Sequence, residues 1–136
     1  MTTEEKIQRD WTMASHLAAL AIFIVALPFG NIWGPLVVWL WKRYEIPAVD
    51  EHGKAAVNFH LSVLIYLALG AVFLLFPLFL LSFIPFLVFI TVPLMWVISG
   101  IGSLMVILEV ILSIVAGIRA KDGVLFRYPC SLRLIK

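Results

Sequence analysis

The chain has 136 residues, 63% of them hydrophobic and only 13% charged, with a formal net charge of +2. An average soluble domain is about 45–50% apolar and about 25% charged. A mean hydropathy of +1.09 therefore excludes a water-soluble globule and points to one small membrane domain.

The first ten residues carry Glu4, Glu5 and Asp10, whereas a cleavable signal would open with net positive charge. The first apolar stretch, 11–41, is accordingly expected to be retained. It is interrupted by Leu27-Pro-Phe-Gly-Asn-Ile-Trp-Gly-Pro35, whose prolines and glycines predict a turn between a helix over 11–28 and a short helix over 33–43. That second arm is roughly 16 Å long, too short for a ~30 Å hydrocarbon core, so it is re-entrant or sits in a thinned bilayer. A break at membrane depth must be covered by other helices, because lipid cannot satisfy open backbone groups.

Residues 44–54 read as a polar cytoplasmic loop. Within it Asp50 suits a helix cap, Gly53 a close backbone approach, Lys54 an interface position and His52 a solvated or interfacial site. The second apolar stretch, 55–118, has one formal charge, Glu109, and prolines at 77, 85 and 93. Two crossings, over 55–82 and 88–118, keep all ten cations on the cytoplasmic side, whereas three would split them against the positive-inside bias. The segment 83–87 then turns on the outer side. The predicted fold is an all-α, polytopic helical membrane domain spanning 1–136: a broken N-terminal hairpin, two long transmembrane helices, and both termini cytoplasmic. No hydrophilic segment of any size projects outward, so no outer receptor or enzyme domain is expected.

The polar residues inside the apolar stretches are the candidate sites. Glu109 stands ten positions before Arg119, about 15 Å along a helix from the interface. A lone charged acid there costs at least about 2.5–3.5 kcal/mol, so it is expected to be protonated, paired or water-facing. Ser113, Gly117, Val106 and Gly102 lie on its face, a pattern of small residues that suits helix packing. One helix earlier, Asn58, Ser62, Tyr66 and Gly70 repeat at i+4, and His60 points about 200° away from Asn58; one of these directions is expected to meet the 11–43 hairpin. His16 and His60 lie at similar shallow depths, which opens a haem or metal reading, though no Cys-x-x-Cys-His or Glu-x-x-His supports it. The polar set is thus Glu109, Ser113, His60 and His16. A second set, the loop residues Asp50, Glu51, His52 and Lys54 with Arg127, Tyr128 and Arg133 of the tail, suits contacts to each other or to a partner.

Trp11, Trp33 and Trp41 fall where interfacial anchors belong. Arg119, Lys121, Arg127, Arg133 and Lys136 face only Asp122 in a basic tail, which is expected to lie along anionic headgroups or to meet an acidic partner. The single Cys130 cannot form an internal disulfide. No phosphate loop, nucleophile elbow or paired catalytic acids occurs, so neither catalysis, a cofactor, a resident metal nor nucleic acid is expected.

Several of these segments together carry a resemblance. His16-Leu-Ala-Ala-Leu20, Pro28-Phe-Gly-Asn-Ile-Trp-Gly-Pro35, Trp39-Leu-Trp-Lys42, Val49-Asp-Glu-His-Gly-Lys54, Asn58-Phe59, Arg127-Tyr-Pro129 and Arg133-Leu-Ile-Lys136 resemble the Tic-twenty-like family of small bacterial membrane proteins, which is related to a chloroplast inner-envelope import component. The resemblance implies a bacterial inner-membrane protein with both termini on one side and a link to protein transport. The leading expectation is a non-enzymatic subunit or assembly partner of a membrane complex. Its rivals are a small oligomeric channel or proton or cation transporter using Glu109, and a haem protein using His16 and His60.

Overall fold

The computed structural model describes residues 2–21 and 29–136, and among them all regular structure is helical. Helix α1 (Thr3–Leu17) continues into a 3-10 turn (Ala18–Ala21); α2 is Gly30–Lys42, α3 Pro47–Gly70, then a π-helical turn (Ala71–Leu75), α4 (Phe76–Leu81) and α5 (Val88–Lys121). The expected continuation of the first helix over 22–28 lies outside the described residues. Two continuous helical stretches, Pro47–Leu81 of 35 residues and Val88–Lys121 of 34, are long and apolar enough to cross a bilayer. Each is roughly 50 Å long, well beyond a ~30 Å core, so each has length to spare outside it.

Three boundaries differ from expectation. Helix α1 begins at Thr3 because Thr2 and Glu5 form a reciprocal capping box, the Thr2 hydroxyl accepting from the Glu5 amide and the Glu5 carboxylate from the Thr2 amide. Helix α2 begins at Gly30, with Phe29 left-handed at φ 62° before it, and Pro35 lies inside the helix, so the expected turn through Pro35 is only partly a turn. The polar segment 44–54 is mostly helix: α3 starts at Pro47, a residue whose fixed φ suits a first helical position.

The chain divides into two compact units. One comprises the residues up to Ser62 together with Glu109–Lys136. In it, α2 packs on α1 and the 3-10 turn so closely that a Cβ on Gly34 would stand 1.9 Å from the Ala18 carbonyl oxygen. Gly53 meets the Trp39 indole, whose Nε1 donates to Asp50 at 2.8 Å, while Lys54 holds the other Asp50 oxygen at 2.6 Å. Asp50 thus ties α3 to α2. Trp11 and Trp41 meet edge to face at 5.7 Å, with the Lys42 ammonium 5.0 Å from the Trp11 ring. Trp33 and Trp41 are exposed, while Trp39 is buried.

Helix α5 presents Glu109, Ser113, Ala116, Gly117 and Ala120 as its buried face in this unit, which includes Ser113 and Gly117 of the expected seam, with Leu17 against Gly117. The helix closes in a Schellman turn: the Val124 amide donates to Arg119, the Gly123 amide to Ala120, and Gly123 takes φ 82°. The tail then runs back over α3, where Leu132 donates its amide to Ser62 and Ile135 exchanges two hydrogen bonds with the Asn58 amide. The tail's own backbone thus covers the Asn58 face of α3.

The second unit, Val63–Leu108, has few buried side chains. Pro77 lacks an N–H, and the π-turn before it, in which the Phe76 amide reaches Ala71, absorbs the misfit. The turn at 82–87 includes Phe86 at φ 71°. Phe73, Phe83, Phe89, Ile90 and Trp96 are exposed, and Val106, expected in the seam, is exposed as well. Helices this apolar on all sides belong in lipid.

Candidate functional site: a buried cluster of histidines, phenol and carboxylate

Glu109, His60, Ser113 and His16, four polar residues in apolar sequence, meet in the first unit and are joined by two residues assigned elsewhere from sequence, His52 and Tyr128. All six are buried. Glu109 Oε1 lies 2.5 Å from His60 Nδ1 and also accepts from the Asn31 amide at 2.8 Å. His60 Nε2 lies 3.5 Å from Ser113 Oγ, which sits one turn below Glu109 and donates to its backbone carbonyl at 2.8 Å. The Tyr128 hydroxyl lies 3.0 Å from His16 Nδ1. His16 Nε2 in turn meets His52 Nδ1 at 2.9 Å.

Local sequence explains each placement. His16 shares the buried face of α1 with Thr12 and Ser15, at helical i+3 and i+4 spacing. His52 and His60 stand on α3 eight residues apart, near two full turns. Tyr128 is held by rings: it stacks on Phe59 at 4.1 Å with planes 11° apart and meets Phe126 edge to face at 5.1 Å. Burial pushes the Tyr128 phenol above its ordinary range.

His52 also lines a polar cleft of about 250 Å³ with Glu5, Gln8, Arg9, Thr12 and Gly123. His52, expected to be solvated or interfacial, has its ring buried because α3 starts early enough to bring it onto α1. Glu109, expected to be protonated, paired or water-facing, is paired with His60. A haem or metal pair of His16 and His60 does not fit this arrangement, since both nitrogens of each ring face protein partners. Among the described residues no group of three or more His, Cys, Asp and Glu side chains is gathered as a metal site.

Of the second predicted set, Glu51, Lys54, Arg127, Tyr128 and Arg133 line one cleft of about 560 Å³ with Asn58. Asp50 is engaged with Trp39 and Lys54, and His52 belongs to the buried cluster. Asn31, the residue that anchors the Glu109 end, was not singled out from sequence; its signal was its place as an amide within an apolar, proline-bounded segment.

The profile of the magnetosome magnetite crystal formation protein family, MamF/MmsF, matches residues 7–135. The chain belongs to this family. No curated protein and no solved structure matches it. The MamF/MmsF match overturns the resemblance to Tic-twenty-like proteins, and the link to protein transport falls with it. The segments that suggested it, interfacial tryptophans, a Pro/Gly-broken apolar run and a basic tail, serve any small helical membrane protein, and so do not separate families. MamF/MmsF membership and two helices able to cross a bilayer make this a membrane protein.

Proposed function

We propose that the protein is a non-enzymatic, multi-pass component of the magnetosome membrane that supports magnetite crystal formation through contacts with itself or with other membrane proteins. The observation that carries this reading is the family match over residues 7–135, which takes up nearly the whole chain. In this reading Pro47–Leu81 and Val88–Lys121 cross the bilayer and both ends of the chain lie on one side. Contacts near the two ends support that sidedness: Arg9 donates to the Lys121 carbonyl at 3.3 Å, and Lys121 lies 3.5 Å from Asp10. The cleft bounded by Lys54, Arg127 and Arg133 gives an acidic partner or an anionic headgroup a place to dock.

The test is cross-linking of tagged protein in native membranes, followed by mass spectrometry and by electron microscopy of crystals from a deletion strain. A defined partner or a homo-oligomer, with altered crystals on deletion, is the expected result. Recovery of monomer alone with unchanged crystals would remove the proposal.

A further inference from the structure

The basic tail after α5 is pinned to α3 at points that bracket its two arginines. Tyr128 stacks on Phe59 at 4.1 Å, which fixes Arg127 next to it. Leu132 donates to Ser62 and Ile135 exchanges two hydrogen bonds with Asn58, which fixes Arg133 between them. The cleft that α3 and the tail line together measures about 560 Å³ and takes in Glu51, Lys54, Asn58, Arg127, Ser131 and Arg133, room enough for a small ligand group. Lys54 is already held by Asp50 at 2.6 Å. Arg127 and Arg133 are exposed, and among the described residues neither guanidinium has an ion pair or hydrogen bond. Two unpaired planar forks held on one cleft suit the oxygens of a phosphate group, which each can meet with two parallel N–H donors.

A second cleft of about 370 Å³ adjoins the first through Lys54 and Ile135 and adds Arg43 and Lys136. The Arg43 guanidinium lies over the Trp39 and Tyr44 rings at 5.1 and 4.4 Å, and its buried Nε has no hydrogen-bond partner. Five cations thus line the two clefts against Asp50 and Glu51. The rim is apolar. Leu125, Leu132 and Leu134 of the tail are exposed around the two arginines, and Trp41 and Tyr44 are exposed at the end of α2 and just beyond it. A soluble anion gains nothing from such a rim, whereas a phospholipid presents a phosphate and, directly beneath it, the apolar layer that exposed leucines and interfacial aromatics enter. We propose that this cleft is a binding site for the phosphodiester headgroup of an anionic phospholipid, with Arg127 and Arg133 as its ligands and Ser131 as a further donor. Asn58 is a positioning residue, since its two bonds to Ile135 keep Arg133 on the cleft.

This site deepens the docking reading given above and rests on its membrane placement, but its test needs no magnetosome. Full-length protein in detergent micelles is mixed with dioctanoyl phosphatidylglycerol, dioctanoyl phosphatidylcholine or glycerol phosphate at equal concentration, and native mass spectrometry counts the adducts retained. Phosphatidylglycerol is expected to be retained several-fold more than the other two. Arg127→Gln combined with Arg133→Gln is expected to lower its retention by about tenfold or more, with phosphatidylcholine unaffected. Lys6→Gln combined with Arg119→Gln removes as much charge from exposed positions outside the cleft and is expected to change nothing. Asn58→Ala keeps every charge and is expected to lower phosphatidylglycerol retention several-fold by freeing Arg133. Circular dichroism and size-exclusion elution identify the folded variants, and the arginine pair, exposed in the fold, carries the test if Asn58→Ala does not fold. Equal retention of the two lipids, an equal loss in the Lys6 and Arg119 pair, or glycerol phosphate retained as well as the lipid overturns the site. A folded Asn58→Ala that retains phosphatidylglycerol like wild type overturns it too, since loose charge would then suffice. Lipid selectivity with unchanged crystals on deletion would keep the site and remove the magnetosome role; altered crystals without selectivity would do the reverse.

Discussion

Glu109 of α5 and His60 of α3 stand 49 residues apart in the chain and 2.5 Å apart in the fold, both almost wholly buried. Removing one member of such a pair strands the other, at a cost of about 3–5 kcal/mol, more than the intact pair contributes. Glu109→Ala is therefore expected to destabilise the protein by about that amount, because it leaves both His60 and the Asn31 amide without their acceptor. Glu109→Ala combined with His60→Leu should recover part of the loss. Thermal unfolding in detergent measures both; a single variant as stable as wild type would show that the pair holds nothing together.

Gly34 and Gly102 give a second contrast. A Cβ at Gly34 would fall 1.9 Å from the Ala18 carbonyl oxygen, a backbone atom that cannot swing away, whereas one at Gly102 would make ordinary contact with Leu67 at 3.5 Å. Gly34→Ala is expected to lower stability by about 3 kcal/mol or to prevent folding, and Gly102→Ala to be neutral or slightly stabilising through better helix propensity. Parallel melting curves decide it. Equal effects at the two glycines would mean that α2 does not sit on the 3-10 turn as closely as described.

Part of this site is legible in the sequence and part is not, for a physical reason. Glu109, Ser113 and His60 stand out because any polar group in a long apolar run is costly and calls for a partner, and because i+4 spacing places Ser113 under Glu109. What periodicity cannot encode is which partner. His16 meets Tyr128 across 112 residues and His52 across 36, so His52 looked like a loop residue and Tyr128 like part of a charged tail. Local signals for these boundaries are present in the sequence: Thr2 and Glu5 are a capping box, and Pro47 with Asp50 in the first turn is a helix start. They were outweighed by the polar composition of both segments. The tail's charges drew attention outward, whereas its fold is set by backbone groups, which have no sequence signature, docking on Asn58 and Ser62.

Tyr128 links the cluster to alkaline stability. Its phenol is raised by burial from an ordinary value of 10.0, so in the pH range above that value the unfolded chain gives up a proton that the folded chain keeps. Stability from this group is fully present below pH ~10 and falls as pH rises further toward the folded value. Melting temperatures measured from pH ~8 to ~11.5 should decline more steeply for wild type than for Tyr128→Phe, the difference isolating this residue from the lysines and other tyrosines that titrate in the same window. Identical slopes would mean that the phenol is solvated.

The tail prediction follows from two residues on α3. Asn58 both donates to the Ile135 carbonyl at 2.9 Å and accepts from its amide at 2.8 Å, so it replaces a missing strand neighbour for the end of the chain. Asn58→Ala leaves those backbone groups to water and costs about 1–3 kcal/mol locally, enough to release the end of the chain after Leu132 without unfolding the helices, because the π-stack of Tyr128 on Phe59 and the bond from the Leu132 amide to Ser62 hold only the part before it. Arg133, already exposed, should then be cut by trypsin several-fold faster than in wild type, while cleavage at Arg127, next to the anchored Tyr128, changes less. Since Arg9 meets Lys121, the same membranes should show Cys130, an exposed residue, reacting with an impermeant maleimide from the side on which an N-terminal tag is accessible. Labelling from opposite sides would contradict the contact between the two ends, and uniform protection of Arg133 in Asn58→Ala would mean that the tail is held by its side chains rather than its backbone.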